Sequence, residues 1–434
     1  MKNPKLRSFL ISFVTVCAIL GVSLLVIAYG RGYRLDFQKT SIKPTGLISA
    51  TSDPIGAQVV IDGTLKTATN NSFNVDPGWY TITISKEGYI SWQKKIRVQG
   101  EVVTRADAFL FPSNPSLSPL TNLGVSQPIL SPDGSRVAYI IPVNQLDETL
   151  TKKAGLWVYE LSEGPLGRNR DPVQLIGTDP TFDIINASIT WSPDSTEILA
   201  NKGIIYRLYQ INKPQTFTDV STSYAPLLSD WQDELTTKQH QQLAAFKQPI
   251  IDMATTSAII LSLSPDETKI LYEATASATI PEVITPPLIG TNSTTETRTI
   301  KPGKIYVYDS REDKNYFVLD KNEVKLPKPS PTPTPTGRPS HLYPTPTPAG
   351  QSPLGGAPPF SFIHWFPTSK HLILTLDGKI DVMEYDRTNW ITIYSGPFVD
   401  SFVAPWSNGS RIIILTSLNP NASTLPNLYT VNLR

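Results

Sequence analysis

A four-residue turn recurs along this chain and constrains its fold more than any other feature. The turn follows one short apolar strand pattern and precedes another, and its clearest copies are Ser131-Pro132-Asp133-Gly134, Ser192-Pro193-Asp194-Ser195 and Ser264-Pro265-Asp266-Glu267. Weaker copies lie around Phe366 and Ser407. Self-similarity of this kind is typical of a repeat architecture. We therefore expect residues 117–434 to form one domain of similar all-β units.

The spacing of the turns indicates the size of each unit. The shortest interval, from Phe366 to Ser407, is 41 residues, which matches a four-stranded propeller blade of about 40–45 residues. This region resembles the TolB and WD-type β-propeller families, whose blades share a Trp-Ser-Pro-Asp-Gly turn. The repeats count to about five blades, and we expect residues 117–123 to supply the strand that the last unit lacks. Six blades remain an alternative if residues 206–220 are divided differently.

A long apolar segment lies near the N-terminus. Residues 8–30 contain no charged side chain, and about 20 such residues span a bilayer as a helix. We expect a transmembrane anchor, because the apolar region of a cleavable signal peptide, the alternative, is usually about 7–15 residues long. Basic residues are nearly balanced on its two sides. We expect residues 1–7 to be a cytoplasmic tail and the bulk of the chain to be extracytoplasmic.

A second set of strand patterns occupies residues 46–111. Short alternating runs are separated there by Asp-Gly and Pro-Gly turns, which is typical of a small antiparallel β-sandwich. This stretch resembles the PEGA domain, and the matching motifs are Pro54-Ile55-Gly56-Ala57, Pro77-Gly78-Trp79-Tyr80 and Lys86-Glu87-Gly88-Tyr89. Ile55 stands where the family has glutamate. The resemblance implies a non-catalytic module that mediates envelope or protein contacts on bacterial and archaeal surfaces.

Aromatic side chains are the candidate ligand contacts of this module. Trp79, Tyr89 and Trp92 present flat rings of the kind that stack on sugars. Alternating aromatic residues also fill the cores of small sandwiches, and we expect this role for most of the set. Trp92 is expected to be the most exposed of them.

Two insertions interrupt the repeats. Residues 229–247 are predicted to form the one helix outside the membrane, because Ser229 and Gln232 have the spacing of a capping box. Residues 327–359 contain twelve prolines in Pro-Thr repeats, which predicts an extended, disordered loop.

Several classes of function are disfavoured by the sequence. A formal net charge of +1 gives no basic field to hold nucleic acid. We find no nucleophile elbow, Walker loop, dinucleotide-binding glycine motif or His-Glu-x-x-His. We therefore expect no catalytic, cofactor-binding or metal-binding residues and no cofactor. Asp133, Asp194 and Asp266 are expected to stabilise their turns, because a repeated residue fits a structural role.

The sequence as a whole predicts a non-catalytic envelope protein anchored in the membrane by residues 8–30. We expect its PEGA-like module and its propeller to bind a cell-wall polymer or another envelope protein. The alternatives are a propeller-based hydrolase or glycan-processing enzyme and a membrane protein that senses the envelope.

Overall fold

The chain divides into two compact units, which we call the N-terminal unit (Met1–Phe111 and Ile284–Thr295) and the C-terminal unit (Pro112–Val283 and Glu296–Arg434). The computed structural model describes residues 4–30, 33–36, 41–143, 151–163, 170–326, 362–399, 402–418 and 425–434. The predicted Pro-Thr loop at 327–359 lies outside the described residues.

An apolar helix begins the N-terminal unit. Helix α1 (Pro4–Gly30) has 27 residues, so it is roughly 40 Å long at about 1.5 Å per residue. Its segment Phe9–Ile27 has a mean hydropathy of 2.8, and none of it is buried in the described structure. The helix is therefore long and apolar enough to cross a membrane.

Nine strands follow in the described residues of this unit. In chain order they are β1 (Tyr33–Asp36), β2 (Ser41–Pro44), β3 (Gly46–Asp53), β4 (Gln58–Ile61), β5 (Thr64–Ala68), β6 (Asn71–Val75), β7 (Gly78–Ser85), β8 (Trp92–Val98) and β9 (Val103–Phe109). Strands β1 and β2 form a ladder, β5-β4-β7-β8 form a four-stranded sheet, and β6-β3-β9 form a three-stranded sheet.

The two larger sheets pack face to face, as the alternating sequence predicts. Buried and half-buried positions alternate along the whole of β3, because successive side chains of a strand point to opposite faces. Ile48 of β3 shares one core with Ile82 and Ile84 of β7. The prediction of a wholly antiparallel sandwich is wrong at one place, since β3 and β9 are parallel. These strands lie at the two ends of the module, so the chain between them is long enough for a crossover.

The C-terminal unit is built from short strands. In chain order they are β10 (Leu117–Pro119), β11 (Ser126–Leu130), β12 (Arg136–Ile141), β13 (Gly155–Glu160), β14 (Val173–Gly177), β15 (Ser188–Trp191), β16 (Glu197–Lys202), β17 (Ile205–Gln210), β18 (Thr218–Asp219), β19 (Ala258–Leu263), β20 (Lys269–Ala274), β21 (Ala278–Thr279), β22 (Thr299–Ile300), β23 (Lys304–Asp309), β24 (Lys314–Asp320), β25 (Ile363–Trp365), β26 (His371–Leu376), β27 (Lys379–Glu384), β28 (Ile391–Ser395), β29 (Val403–Pro405), β30 (Arg411–Thr416) and β31 (Asn427–Asn432). Among the described residues, two 3-10 turns, Ile184–Asn186 and Lys321–Glu323, lie between them.

The described strands of this unit form five four-stranded sheets and one two-stranded ladder, β21-β22. We number the sheets in the order of their repeats along the chain: sheet 1 (β11-β12-β13-β14), sheet 2 (β15-β16-β17-β18), sheet 3 (β19-β20-β23-β24), sheet 4 (β25-β26-β27-β28) and sheet 5 (β29-β30-β31-β10). Each predicted repeat thus corresponds to one sheet. Strands from residues 206–220 belong to sheet 2, so they do not form a sixth sheet.

Sheet 5 combines the last strands of the chain with the first strand of the unit. Strand β10 pairs antiparallel with β31, and Leu117 lies opposite Val431. The prediction that residues 117–123 supply the missing strand is therefore confirmed. Because of this pairing, β31 is an interior strand with β30 on its other side, and its backbone is not left as an edge.

Hydrophobic cores join consecutive sheets. One core contains residues of sheets 5 and 1, a second joins sheets 1 and 2, and a third joins sheets 3 and 4. Large buried rings lie in these cores: Trp406 of the sheet 5 turn contacts Tyr159 of sheet 1 edge to face, with ring centroids 6.0 Å apart. Contacts of this kind hold the sheets together through side-chain packing.

The recurrent turns are stabilised by their own aspartates. Ser131 donates its hydroxyl to the Asp133 carboxylate at 2.5 Å, and Ser135 donates both its backbone N–H and its hydroxyl. Asp194 and Asp266 make the same set of contacts with the residues two before and two after them. This is the structural role that the repetition predicts.

These contacts make the three turns sensitive to acid. Partial burial opposes ionisation of Asp133, Asp194 and Asp266, but the hydrogen bonds outweigh it and hold the pKa of each carboxyl below its usual value. A carboxyl whose pKa is lower in the folded chain stabilises the fold above its unfolded pKa, and that contribution is lost as the pH falls through the folded pKa.

We expect the free energy of unfolding of the C-terminal unit to decrease below about pH 4. Urea unfolding at several pH values would measure this decrease, and the triple aspartate-to-asparagine variant should show a shallower one. An unchanged slope in that variant would contradict the prediction.

Two helices separate sheets 2 and 3, where one was predicted. Helix α2 (Tyr224–Leu243) and helix α3 (Gln248–Thr256) differ from the predicted range 229–247 in both number and bounds. Ser229 lies inside α2 instead of capping it. A proline in the first turn of α3 begins the second helix, a position that suits its fixed φ. Trp231 of α2 packs with Leu199 and Val220 near sheet 2.

Candidate functional site

The outer face of the four-stranded sheet in the N-terminal unit carries an exposed aromatic ring. Alternation along β7 turns Ile82 and Ile84 into the core and leaves Trp79 on the opposite face. The Trp79 side chain is 52% exposed. We call Trp79 and its neighbours on this face the outer-face cluster.

Two cations complete the outer-face cluster. Arg97 of β8 lies directly opposite Trp79 in the register of the sheet. The Lys95 ammonium lies 5.7 Å from the centroid of the Trp79 ring, within the range of a cation–π contact. Both cations are exposed. The cluster therefore presents a flat apolar surface beside two positive charges.

The other two aromatic candidates do not lie on this face. Trp92 is only 4% exposed and belongs to the core between the sheets, so the expectation that it is the most exposed is wrong. Strand β8 turns Trp92, Ile96 and Val98 to the same side, and the apolar character of all three residues indicates that this side is buried. Tyr89 packs against the same core while partly buried.

Sequence reasoning missed Lys95 and Arg97. Their signal is present in the β8 sequence, where charged residues alternate with buried apolar ones. It becomes informative only once the register with β7 is known, because pairing places the cations opposite Thr81 and Trp79.

A segment that is distant in sequence contacts the edge strand β8 of the same sheet. Residues Ile284–Thr295 leave the C-terminal unit after β21, join the N-terminal unit, and return before β22. The Arg97 backbone N–H of edge strand β8 donates to the Ser293 hydroxyl at 2.9 Å. The Gly290 N–H donates to the Gln99 side-chain carbonyl at 3.1 Å. The Arg97 N–H, which would otherwise be unpaired at the sheet edge, thereby gains an acceptor from another part of the chain.

The described residues offer no group of three histidine, cysteine or acidic side chains placed to hold a metal ion. The repeated aspartates are occupied by hydrogen bonds of their turns. The outer-face cluster contains no acid, base or nucleophile paired for proton transfer. Its arrangement suits binding by stacking and charge.

The sequence of the N-terminal module matches a known family. Residues 45–114 match the PEGA domain family, which confirms the resemblance of residues 46–111, and this part of the chain is a PEGA domain. No curated protein matches the sequence.

Solved structures with a detectable likeness include bacterial TolB proteins. A putative TolB from Agrobacterium tumefaciens is 11% identical, with 68% of this chain and 71% of that chain covered and a TM-score of 0.19. TolB from Acinetobacter baumannii is 9% identical, with 81% and 59% covered and a TM-score of 0.21. A chain of a mitotic checkpoint complex is 10% identical, with 76% and 98% covered and a TM-score of 0.28. The five sheets of the C-terminal unit are defined by its own strand pairing.

Proposed function

We propose that this chain is a non-catalytic envelope protein that is anchored in the membrane by α1 and binds cell-wall material outside the cell. The length and apolar composition of α1 support the anchor. The PEGA domain supports an envelope location. With a cytoplasmic N-terminus, the PEGA domain and the C-terminal unit are extracytoplasmic.

The five sheets of the C-terminal unit are, in this proposal, the blades of a β-propeller. Each is a four-stranded antiparallel sheet that follows the chain, and sheet 5 takes its fourth strand from β10. Such pairing of the first and last strands closes a propeller and leaves only short edges. The loops of a propeller form a broad surface for further partners.

The outer-face cluster is the observation that carries the binding proposal. An exposed tryptophan ring stacks on apolar faces of sugar rings, and Lys95 and Arg97 attract negative charge. The partner that fits both properties is an anionic, sugar-containing polymer of the cell wall. An uncharged or basic partner would leave the two cations without a counter-charge.

Trp79→Ala is expected to weaken binding to the cell wall about fivefold, since contacts of an exposed tryptophan contribute about 1 kcal/mol. The full-length protein in detergent would be cosedimented with isolated cell-wall sacculi over a range of sacculus concentrations. Trp79→Phe should retain most of the binding because a flat ring remains. Leu65→Ala serves as the matched control, since Leu65 is an exposed apolar residue of the same sheet.

The salt dependence of cosedimentation tests the contribution of the two cations in the same experiment. Binding should weaken with added salt, because exposed charges are screened, and the Lys95→Ala, Arg97→Ala variant should depend less on salt. Equal cosedimentation of wild type and Trp79→Ala would contradict the proposed site. Absence of cosedimentation by the wild type would contradict the proposed partner.

A further inference from the structure

A cavity of about 350 Å³ opens at sheet 4, beside the turn between β26 and β27. Its base is a buried carboxylate, Asp381, which is 1% exposed. The Asp381 oxygens accept hydrogen bonds from Trp390 Nε1 at 2.8 Å, from the Thr392 hydroxyl at 2.7 Å and from the Lys379 ammonium at 2.7 Å. These bonds neutralise the carboxylate and fix the orientation of the Trp390 indole, which lines the cavity.

One wall of the cavity is a paired arginine. Arg387 donates to Glu323 at 2.9 Å. Its guanidinium lies 4.7 Å from the Phe317 ring centroid and 5.8 Å from that of Trp390. The charges of this wall, like those of the base, are therefore balanced within the protein.

Two opposite charges at the mouth of the cavity are not balanced in this way. The backbone N–H of Asp377 donates to the carbonyl of Lys325 at 3.0 Å, which holds the two residues side by side. Both residues line the cavity and are exposed. Within the described part of the chain, neither the Lys325 ammonium nor the Asp377 carboxylate takes part in an ion pair or a side-chain hydrogen bond.

We propose that this cavity binds a small zwitterion, either an amino acid or a short peptide with free ends. The ligand ammonium faces Asp377, the ligand carboxylate faces Lys325, and the apolar part of the ligand contacts the Trp390 indole. A neutral ligand would pair with neither free charge, and a simple anion or cation would pair with only one. The cavity volume lies at the lower end of the range of small-molecule sites, which suits a ligand of this size.

Alanyl-alanine, in its L,L and D,D forms, is the probe that tests this site. Binding to the full-length protein in detergent would be followed by ligand-observed NMR and titration calorimetry. Acetylation of the dipeptide amine and amidation of its carboxylate should each weaken binding about fivefold or more, because each removes one charge-assisted contact. Asp377→Asn should weaken binding of the free dipeptide and have little further effect on the acetylated one. Lys325→Gln should likewise weaken binding of the free dipeptide and have little further effect on the amidated dipeptide.

Asp230→Asn, which changes an exposed acid of α2, is the matched control and should leave binding unchanged. Circular dichroism of each variant would verify that it is folded. Equal binding of the free and capped dipeptides would overturn the proposal, and so would binding of N-acetylglucosamine with none of either dipeptide. The site is independent of the outer-face cluster, so Trp79→Ala should bind alanyl-alanine as the wild type does.

Discussion

Replacing Val431 with aspartate is expected to unfold the C-terminal unit. Val431 has no exposed surface and lies in β31 between Leu117 of β10 and Ile412 of β30. A carboxyl group in this position loses its hydration without gaining a partner, which costs several kcal/mol. The whole stability of a domain is only about 5–15 kcal/mol. Urea unfolding followed by tryptophan fluorescence should show a large loss of the unfolding midpoint or no folded baseline.

A matched substitution separates burial from a general effect of the new charge. Val173 of β14 is 48% exposed, so Val173→Asp introduces the same group into a strand at the edge of its sheet. We expect this control to shift the unfolding free energy by less than about 1 kcal/mol. Comparable destabilisation by the two variants would show that β31 is not the buried central strand of sheet 5.

Replacing Gly290 with alanine is expected to release the segment Ile284–Thr295 from the PEGA domain. The φ angle of Gly290 is +72°, and a Cβ placed there would lie 2.5 Å from Val102 Cγ1. The left-handed backbone costs an alanine about 1–2 kcal/mol, and the overlap with a short, branched side chain adds about 1–3 kcal/mol. Hydrogen exchange at the Arg97 amide should become faster, because its acceptor is the Ser293 hydroxyl.

Gly88→Ala is the control for the effect of backbone conformation alone. Gly88 belongs to the same unit and has a φ of +81°, but no atom lies within 4 Å of a Cβ built on it. Exchange at the Arg97 amide should remain as in the wild type in this variant. Unchanged exchange in Gly290→Ala would contradict the contact between the segment and β8.

The repeats and the extra strand were predictable because their signals are local or follow from simple counting. The Ser-Pro-Asp turn stabilises itself through contacts two residues away, so its sequence is nearly sufficient to form it. The last repeat has three strands, and the stretch before the first repeat supplies a fourth. The bounds of the helical insertion were less predictable, because the N-cap residue of α2, Ser223, makes no side-chain capping hydrogen bond.

The candidate site was only partly predictable, because it depends on register and on distant contacts. Trp79 was among the candidates, but the sequence alone did not show which of three aromatic rings is exposed. The segment that contacts the edge strand β8 has no periodic pattern, and Ser293 lies 196 residues from its partner Arg97. Only the folded chain brings such residues together.

The order in which the chain is synthesised gives the pairing of β10 with β31 a kinetic consequence. The hydrogen bond from Thr430 to Ser118 joins residues that are 312 positions apart, so β10 is synthesised long before its partner strand β31. A chain that folds as it is made therefore carries β10 unpaired until β31 has been synthesised, and closing so long a loop is slow. During that interval exposed strand edges are open to aggregation and proteolysis. The pairing of β10 with β31 is therefore a late folding step, which completes sheet 5 only after all its other strands have been made.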